Sequence, residues 1–347
     1  MFRTFIADHY RRKPKDEGRM IRYRLSIIAS SLIYLSHASA APTNIVALLP
    51  ANGSFVTALN GLRSQLDENY VVHSIDMGKS PKVQDVAAEC RSVNAAALVL
   101  MDAKAIKMAR ELQRLDSGYI VMPKFVFMTL MVESMTKGLF NVVGVKFEIP
   151  LYTLVVNFRI ISQKDFSTIG IFYRRPFAAF IGESKGLLEK EGIRINAECI
   201  DCDAKQSVTD QIALGIMEKS FSGMIKDDRV EAFVITADDR ILNAASMKGF
   251  WIEKVKKRKI PGIAPIDVLA TDRYAVAVFS VGPDIPQVGV QAANQVIDYF
   301  DNRTPLEKIG FEPTISVKST LNLKMAREIG WKLKEEKLGR ITTIIGK

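Results

Sequence analysis

The feature that most narrows the fold is an alternation that runs through once and then begins again. Short apolar runs rich in β-branched residues recur at 44–49, 70–75, 96–101, 119–122, 168–173, 193–200, 232–236 and 275–281. Between them lie helix-length stretches with 3.6-type spacing, such as 55–66, 103–115, 178–191, 208–219 and 288–300. Strand, helix and strand in repetition predict an α/β chain with parallel sheets covered by helices on both faces. The pattern restarts near Glu148, which predicts two doubly wound parallel-sheet lobes. A chain of 347 residues exceeds one typical domain. With 48% apolar and only 8% aromatic residues it can bury a large aliphatic core. Open sheets of this kind take ligands at the carboxyl ends of their strands, so the turns that follow the strands are the places to search.

The first forty residues read differently. Met20 is followed by Arg22 and Arg24, a mostly apolar run over 25–35, and Ala38-Ser39-Ala40. That is a basic n-region, a short h-region and an A-x-A cleavage signature. The run is shorter than the roughly 20 apolar residues a membrane span needs. Residues 20–40 are therefore expected to be a cleavable signal peptide and 1–19 an upstream extension, with an uncleaved anchor as the alternative. The expected location is periplasmic, with no stable membrane insertion after cleavage. Residues 1–40 carry five of the ten net positive charges, eight Lys/Arg against three Asp/Glu. The +5 that stays is too mild a balance to argue for nucleic acid.

Enzyme motifs are present only in outline. Gly182-Glu183-Ser184-Lys185-Gly186 spells G-x-S-x-G, but inside a helical stretch instead of on a strand-to-helix elbow. The histidines are His9, His37 and His73, and the first two belong to the N-terminal segment. That leaves a Ser-His-Asp triad only His73, in the strand-like YVVHSI. Met77-Gly78-Lys79-Ser80 resembles the end of a phosphate loop whose first glycine is replaced by His73. Of Cys90, Cys199 and Cys202, the last two form a C-x-x-C. A local disulfide and free thiols both fit that spacing, whereas a zinc site needs four ligands. No enzyme activity, cofactor or metal is expected.

Three segments carry a resemblance to a known family. NVVGVKFEIPLYTLVVNFRIISQKDFSTIGIFYRRP (141–176), VFSVGPDIPQVGVQAANQVIDYF (278–300) and STLNLKMAREIGWKL (319–333) are similar, in matching order, to segments of the tryptophan/tyrosine-binding type of ABC-transporter substrate-binding proteins. The resemblance implies the periplasmic binding protein type I fold, with two lobes joined by three crossovers. It places 41–147 plus 276–302 in the first lobe and 148–275 plus 303–347 in the second. It also implies a cleft that closes on a small ligand, hinging at Glu148-Ile149-Pro150, and delivery to ABC permease and ATPase subunits by a monomer. A ligand sensor of the same fold that signals to a membrane receptor is the alternative function.

On that template the candidate contacts lie in turns. Asp102 and Ala103 follow one strand, Asp238 and Asp239 another, and Tyr173 and Arg174 a third. An aspartate before a helix is also a good N-cap, so Asp102 and Asp239 suit either role. Carboxylates would take an ammonium and an arginine would pair a carboxylate, which together describe an amino-acid-like ligand. Phe55, Phe127 and Met128 would wall an aromatic or other apolar side chain, although FVFMTLM also reads as core. Ala264, Pro265, Gly282 and Asp284 stand at positions that the resemblance places in the cleft. The basic run WIEKVKKRK reads as a solvated helix face.

Overall fold

The structure, a computed structural model, describes residues 41–203 and 208–346. The proposed extension and signal peptide, 1–40, lie outside them. The strands in chain order are β1 Thr43–Leu49, β2 Tyr70–Asp76, β3 Ala97–Leu100, β4 Lys124–Val126, β5 Val142–Lys146, β6 Thr168–Tyr173, β7 Arg194–Cys199, β8 Ala232–Val234, β9 Gly262–Ala264, β10 Phe279–Pro283, β11 Phe311–Pro313, β12 Val317–Asn322 and β13 Thr343–Ile345. They form two sheets, one ordered β11-β5-β4-β3-β1-β2 and the other β13-β12-β10-β9-β8-β6-β7. Every pairing is parallel except β10 with β12.

Parallel strands between helical layers are buried on both faces, and the sequence reads accordingly. In β1, Ile45, Ala47 and Leu49 enter one core and Val46 and Leu48 the opposite one. The second sheet is likewise flanked by two cores. One packs around Phe158, Phe166 and Phe279, the other around Phe172, Phe233 and Trp251.

The chain crosses between the lobes three times. It leaves β5 through Phe147–Pro150 for the helix Leu151–Ile161, which sits in the second lobe's core. It returns at Asp284, between β10 and the helix Ile285–Phe300, and leaves again at Thr314–Ser316, between β11 and β12. The crossings are tied together, since Asp284 N–H donates to Ser316 O at 3.0 Å and Thr314 N–H to Lys146 O at 3.2 Å.

This corrects the lobe boundaries expected from the sequence. The first-lobe return was placed at 276–302, but β10 is hydrogen-bonded to β9 and β12 and belongs to the second sheet. The edge of the first sheet is instead β11, paired to β5 beyond residue 302. Two strands also shift. Residues 119–122 form the helical turn Gly118–Val121, opened by Gly118 N–H donating to Asp116 Oδ1 and ended before Pro123. Ala275 has φ +45°, and the N–H groups of Val276 and Ala277 both turn back to Leu269 O, so the strand starts at Phe279.

The helix Ile285–Phe300 holds its place by close approach to the helix Gly53–Gln65. A Cβ on Gly289 would stand 1.9 Å from Ala58 O, and one on Gly61 would stand 2.1 Å from Pro286 O. Both obstacles are backbone and cannot rotate away. Gly289→Val is expected to cost about 2–3 kcal/mol by overpacking, seen as a lower urea midpoint at unchanged m-value.

Cys199 and Cys202 are joined in a disulfide, with Cα atoms 5.6 Å apart. This settles the C-x-x-C and leaves neither sulfur free as a metal ligand. Cys90 is a buried thiol on the helix Val83–Ser92, pushed up to about 11 by burial.

Candidate ligand-binding cleft

The turns at the carboxyl ends of the strands face a cavity of about 500 Å³. Both lobes build it. The first contributes Ser54 and Phe55 after β1, Met128 and Leu130 after β4, and Phe147 at the first crossing. The second contributes Phe177 and Phe180 after β6, Thr236 and Ala237 after β8, and Pro265 to Asp267 after β9. Gly282 and Pro283, at the second crossing, complete the wall. The volume suits a small organic molecule, and a mostly apolar lining with few polar groups is usual for such a site.

The loop after β4 is held in an unusual conformation. Met128 and Met131 have φ values of +60° and +51°, a region that costs a non-glycine residue about 1 kcal/mol or more. Glu148 offsets part of that cost, because its Oε2 accepts the Met131 N–H at 3.1 Å. Glu148 also lines the cavity, half-buried at the first crossing. Burial raises its carboxyl above the ordinary carboxylate range, opposed by its own N–H, the Met131 N–H and the Lys146 charge. Lys146 is itself paired with Glu133 at 2.8 Å. The cation in the lining, Lys318, lies 2.9 Å from Asp284 Oδ1. Thr236 donates its hydroxyl proton to Phe172 O, so its donor is already engaged.

Of the residues singled out in the sequence, Phe55, Met128, Pro265 and Gly282 line the cavity. The others stand elsewhere. Asp102 caps the helix Ala103–Leu115, accepting the Ala105 N–H at 2.7 Å, with Ala103 exposed beside it. Phe127 is fully buried in the first lobe's core and Ala264 in the second's. Tyr173 packs against the second lobe's other core.

Arg174, Asp238 and Asp239 are brought together, but by one another. Arg174 Nε reaches both carboxylate oxygens of Asp238 at 2.8 Å, and its Nη2 reaches Asp239 Oδ1 at 2.9 Å. The Asp238 side chain is only 2% exposed and that of Asp239 is 83% exposed. The charges expected to meet a ligand are thus engaged with one another beside the turn that supplies Thr236 and Ala237. Arg175 is engaged likewise with the disulfide turn, donating from Nη2 to the carbonyls of Asp201 and Cys202.

Several lining residues escape a reading of the sequence. Phe177 and Phe180 look like ordinary helix-start apolar residues at i and i+3. Lys318 looks like a surface lysine on a strand. Glu148 was legible only as part of a hinge, although an acid between the β5 run and a proline is a signal that it faces an opening.

The sequence matches no protein-family model and no curated protein. Among solved structures, the chain is similar to an ABC domain in complex with L-Trp from Streptococcus pneumonia. The identity is 16% and the TM-score 0.59, covering 88% of this chain and all of that one. A ligand-free, open substrate-binding protein with adhesive properties from Clostridium difficile gives 13% and 0.63, over 88% of this chain and all of that one. A periplasmic ribose ABC transporter from Conexibacter woesei gives 13% and 0.53, over 84% and 96%. This is the type I periplasmic binding protein fold. At these identities the likeness is one of fold. Among the described residues no helix is long and apolar enough to cross a membrane.

Proposed function

We propose that the protein is an exported solute-binding protein that captures a small amino-acid-like compound, an ammonium on an apolar or aromatic body, and delivers it to an ABC importer. What supports this is one observation: the carboxyl-end turns of two separate sheets converge on a single apolar cavity spanned by three crossings. An arrangement of that kind closes by hinging, and closure lets one small molecule be gripped by both lobes at once. The signal-like segment before Ala41 supports export to the periplasm.

The test is thermal unfolding of the purified protein against a panel of amino acids, amines, amides, sugars and nucleosides. Ligand at about a hundred times its dissociation constant adds roughly 2.7 kcal/mol. For a protein of this size that raises the melting temperature by several degrees. A shift with amino acids or amines, and none with sugars or nucleosides, is the expected result. A shift with sugars alone would replace the ligand class and leave the transport role standing.

A further inference from the structure

We infer that the cleft recognises its ligand by the ammonium group, held at Glu148, and makes no matching demand on a carboxylate, so that small aromatic or aliphatic amines bind better than the corresponding amino acids. The inference rests on the solute-binding reading above and narrows its ligand.

The ionisable groups lining the cavity are Glu148, Asp267 and Lys318 among the described residues. Lys318 is engaged by Asp284, and Asp267 is exposed at the rim. Glu148 is half-buried where the lobes meet, walled by Phe147 and Ile149 on either side in sequence. An ionised carboxylate offers about four acceptor positions. Its own N–H and that of Met131 take two, which leaves the others for a donor in the cavity. An ammonium there gains a charge-assisted bond in an apolar surround, while its hydrocarbon body displaces water from Phe55, Phe177 and Phe180.

A carboxylate on the same molecule fares worse. The arginine that the sequence offered for it, Arg174, is committed to Asp238 and Asp239. In an apolar cavity an unpaired carboxylate is costly, and beside Glu148 it is also repelled. It would have to be received by the N-terminus of the helix Gly53–Gln65, where Asn52 makes no side-chain cap bond.

The proposal is tested by titration calorimetry with three probes that share one ring: tryptamine, tryptophan and indole-3-propionate. Tryptamine is expected to bind, tryptophan about tenfold or more weakly, and the propionate not at all. Glu148→Gln keeps the shape and the Met131 acceptor but removes the charge. It should weaken tryptamine about tenfold or more. Acidification should also weaken tryptamine, because binding needs the ionised carboxylate. The loss should set in above the ordinary carboxylate range, with Lys146 and Glu133 the charged neighbours that tune it.

If tryptophan binds more tightly than tryptamine, or Glu148→Gln leaves tryptamine unaffected, the inference is wrong while the solute-binding reading survives. If neither these nor phenethylamine and isoamylamine bind, the inference and the amino-acid-like ligand class both fall. Should Glu148→Gln fail to fold, the ranking of the three probes on the unaltered protein decides alone.

Discussion

Lys124→Met will destabilise the protein by about 3–5 kcal/mol, read as a fall in melting temperature of roughly 10 °C. Lys124 opens β4 and its side chain is fully buried with no acid beside it. Its Nζ instead donates to three main-chain carbonyls, Tyr119 O at 2.6 Å, Met122 O at 2.8 Å and Phe140 O at 3.0 Å. Burial pushes its pKa down to about 8. Three acceptors matched to the three N–H bonds of an ammonium oppose that fall. One side chain thus ties the helical turn Gly118–Val121 to the turn that enters β5, at the amino end of the first sheet. Methionine fills the same space and leaves three main-chain carbonyls without their donor, that of Tyr119 buried and those of Met122 and Phe140 part-buried, which is the source of the cost. If the variant melts within about 2 °C of the parent, those carbonyls have found water and the lysine is not the clamp.

Arg174→Met is expected to cost a comparable amount, about 3–5 kcal/mol, because it strands the Asp238 carboxylate in the interior. Without the guanidinium that group keeps the Arg240 N–H at 2.9 Å and little else. Adding Asp238→Asn should restore more than half of the loss, since the penalty comes from an uncompensated charge and not from the missing methylenes. Chemical denaturation of the single and double variants measures the coupling. A value under about 1 kcal/mol would mean that the pair behaves as an ordinary surface bridge. Thr236 and Ala237 precede Asp238 directly and line the cavity, so the single variant should also bind ligand less tightly.

The same cluster illustrates what the sequence could and could not disclose. Arg174 and Asp238 were legible as charged residues in strand-following turns, which is where they are. Their sixty-four-residue separation hid that they face each other. Lone charges in turns read alike whether they await a ligand or a partner in the fold. The two-lobed sheet architecture was legible because buried parallel strands and amphipathic helices leave periodic traces that do not depend on distant contacts. Short strands left weaker traces: β4, β9 and β11 have three residues each, and β11 contains a proline. The misplaced return at 276 has the same origin, because VAVFSV is apolar enough for either sheet. Only its pairing with β9 and β12 assigns it. Of the four lining residues within reach, Phe55 was placed by its turn after the first strand, and Pro265 and Gly282 by the family resemblance. Lys318 was not within reach, since its approach to the cavity depends on a third crossing that no local pattern announces.

The three crossings also decide when the protein can become itself. The first sheet takes its edge from residues 311–313, and the helix Gly53–Gln65 stays uncovered until residues 285–300 arrive. The second sheet ends at residues 343–345. During synthesis, neither half can finish ahead of the other. A chain cut near residue 275 would display bare glycine-bearing helix surface instead of forming a stable half-protein, and the last tenth of the sequence is needed before either part is sealed.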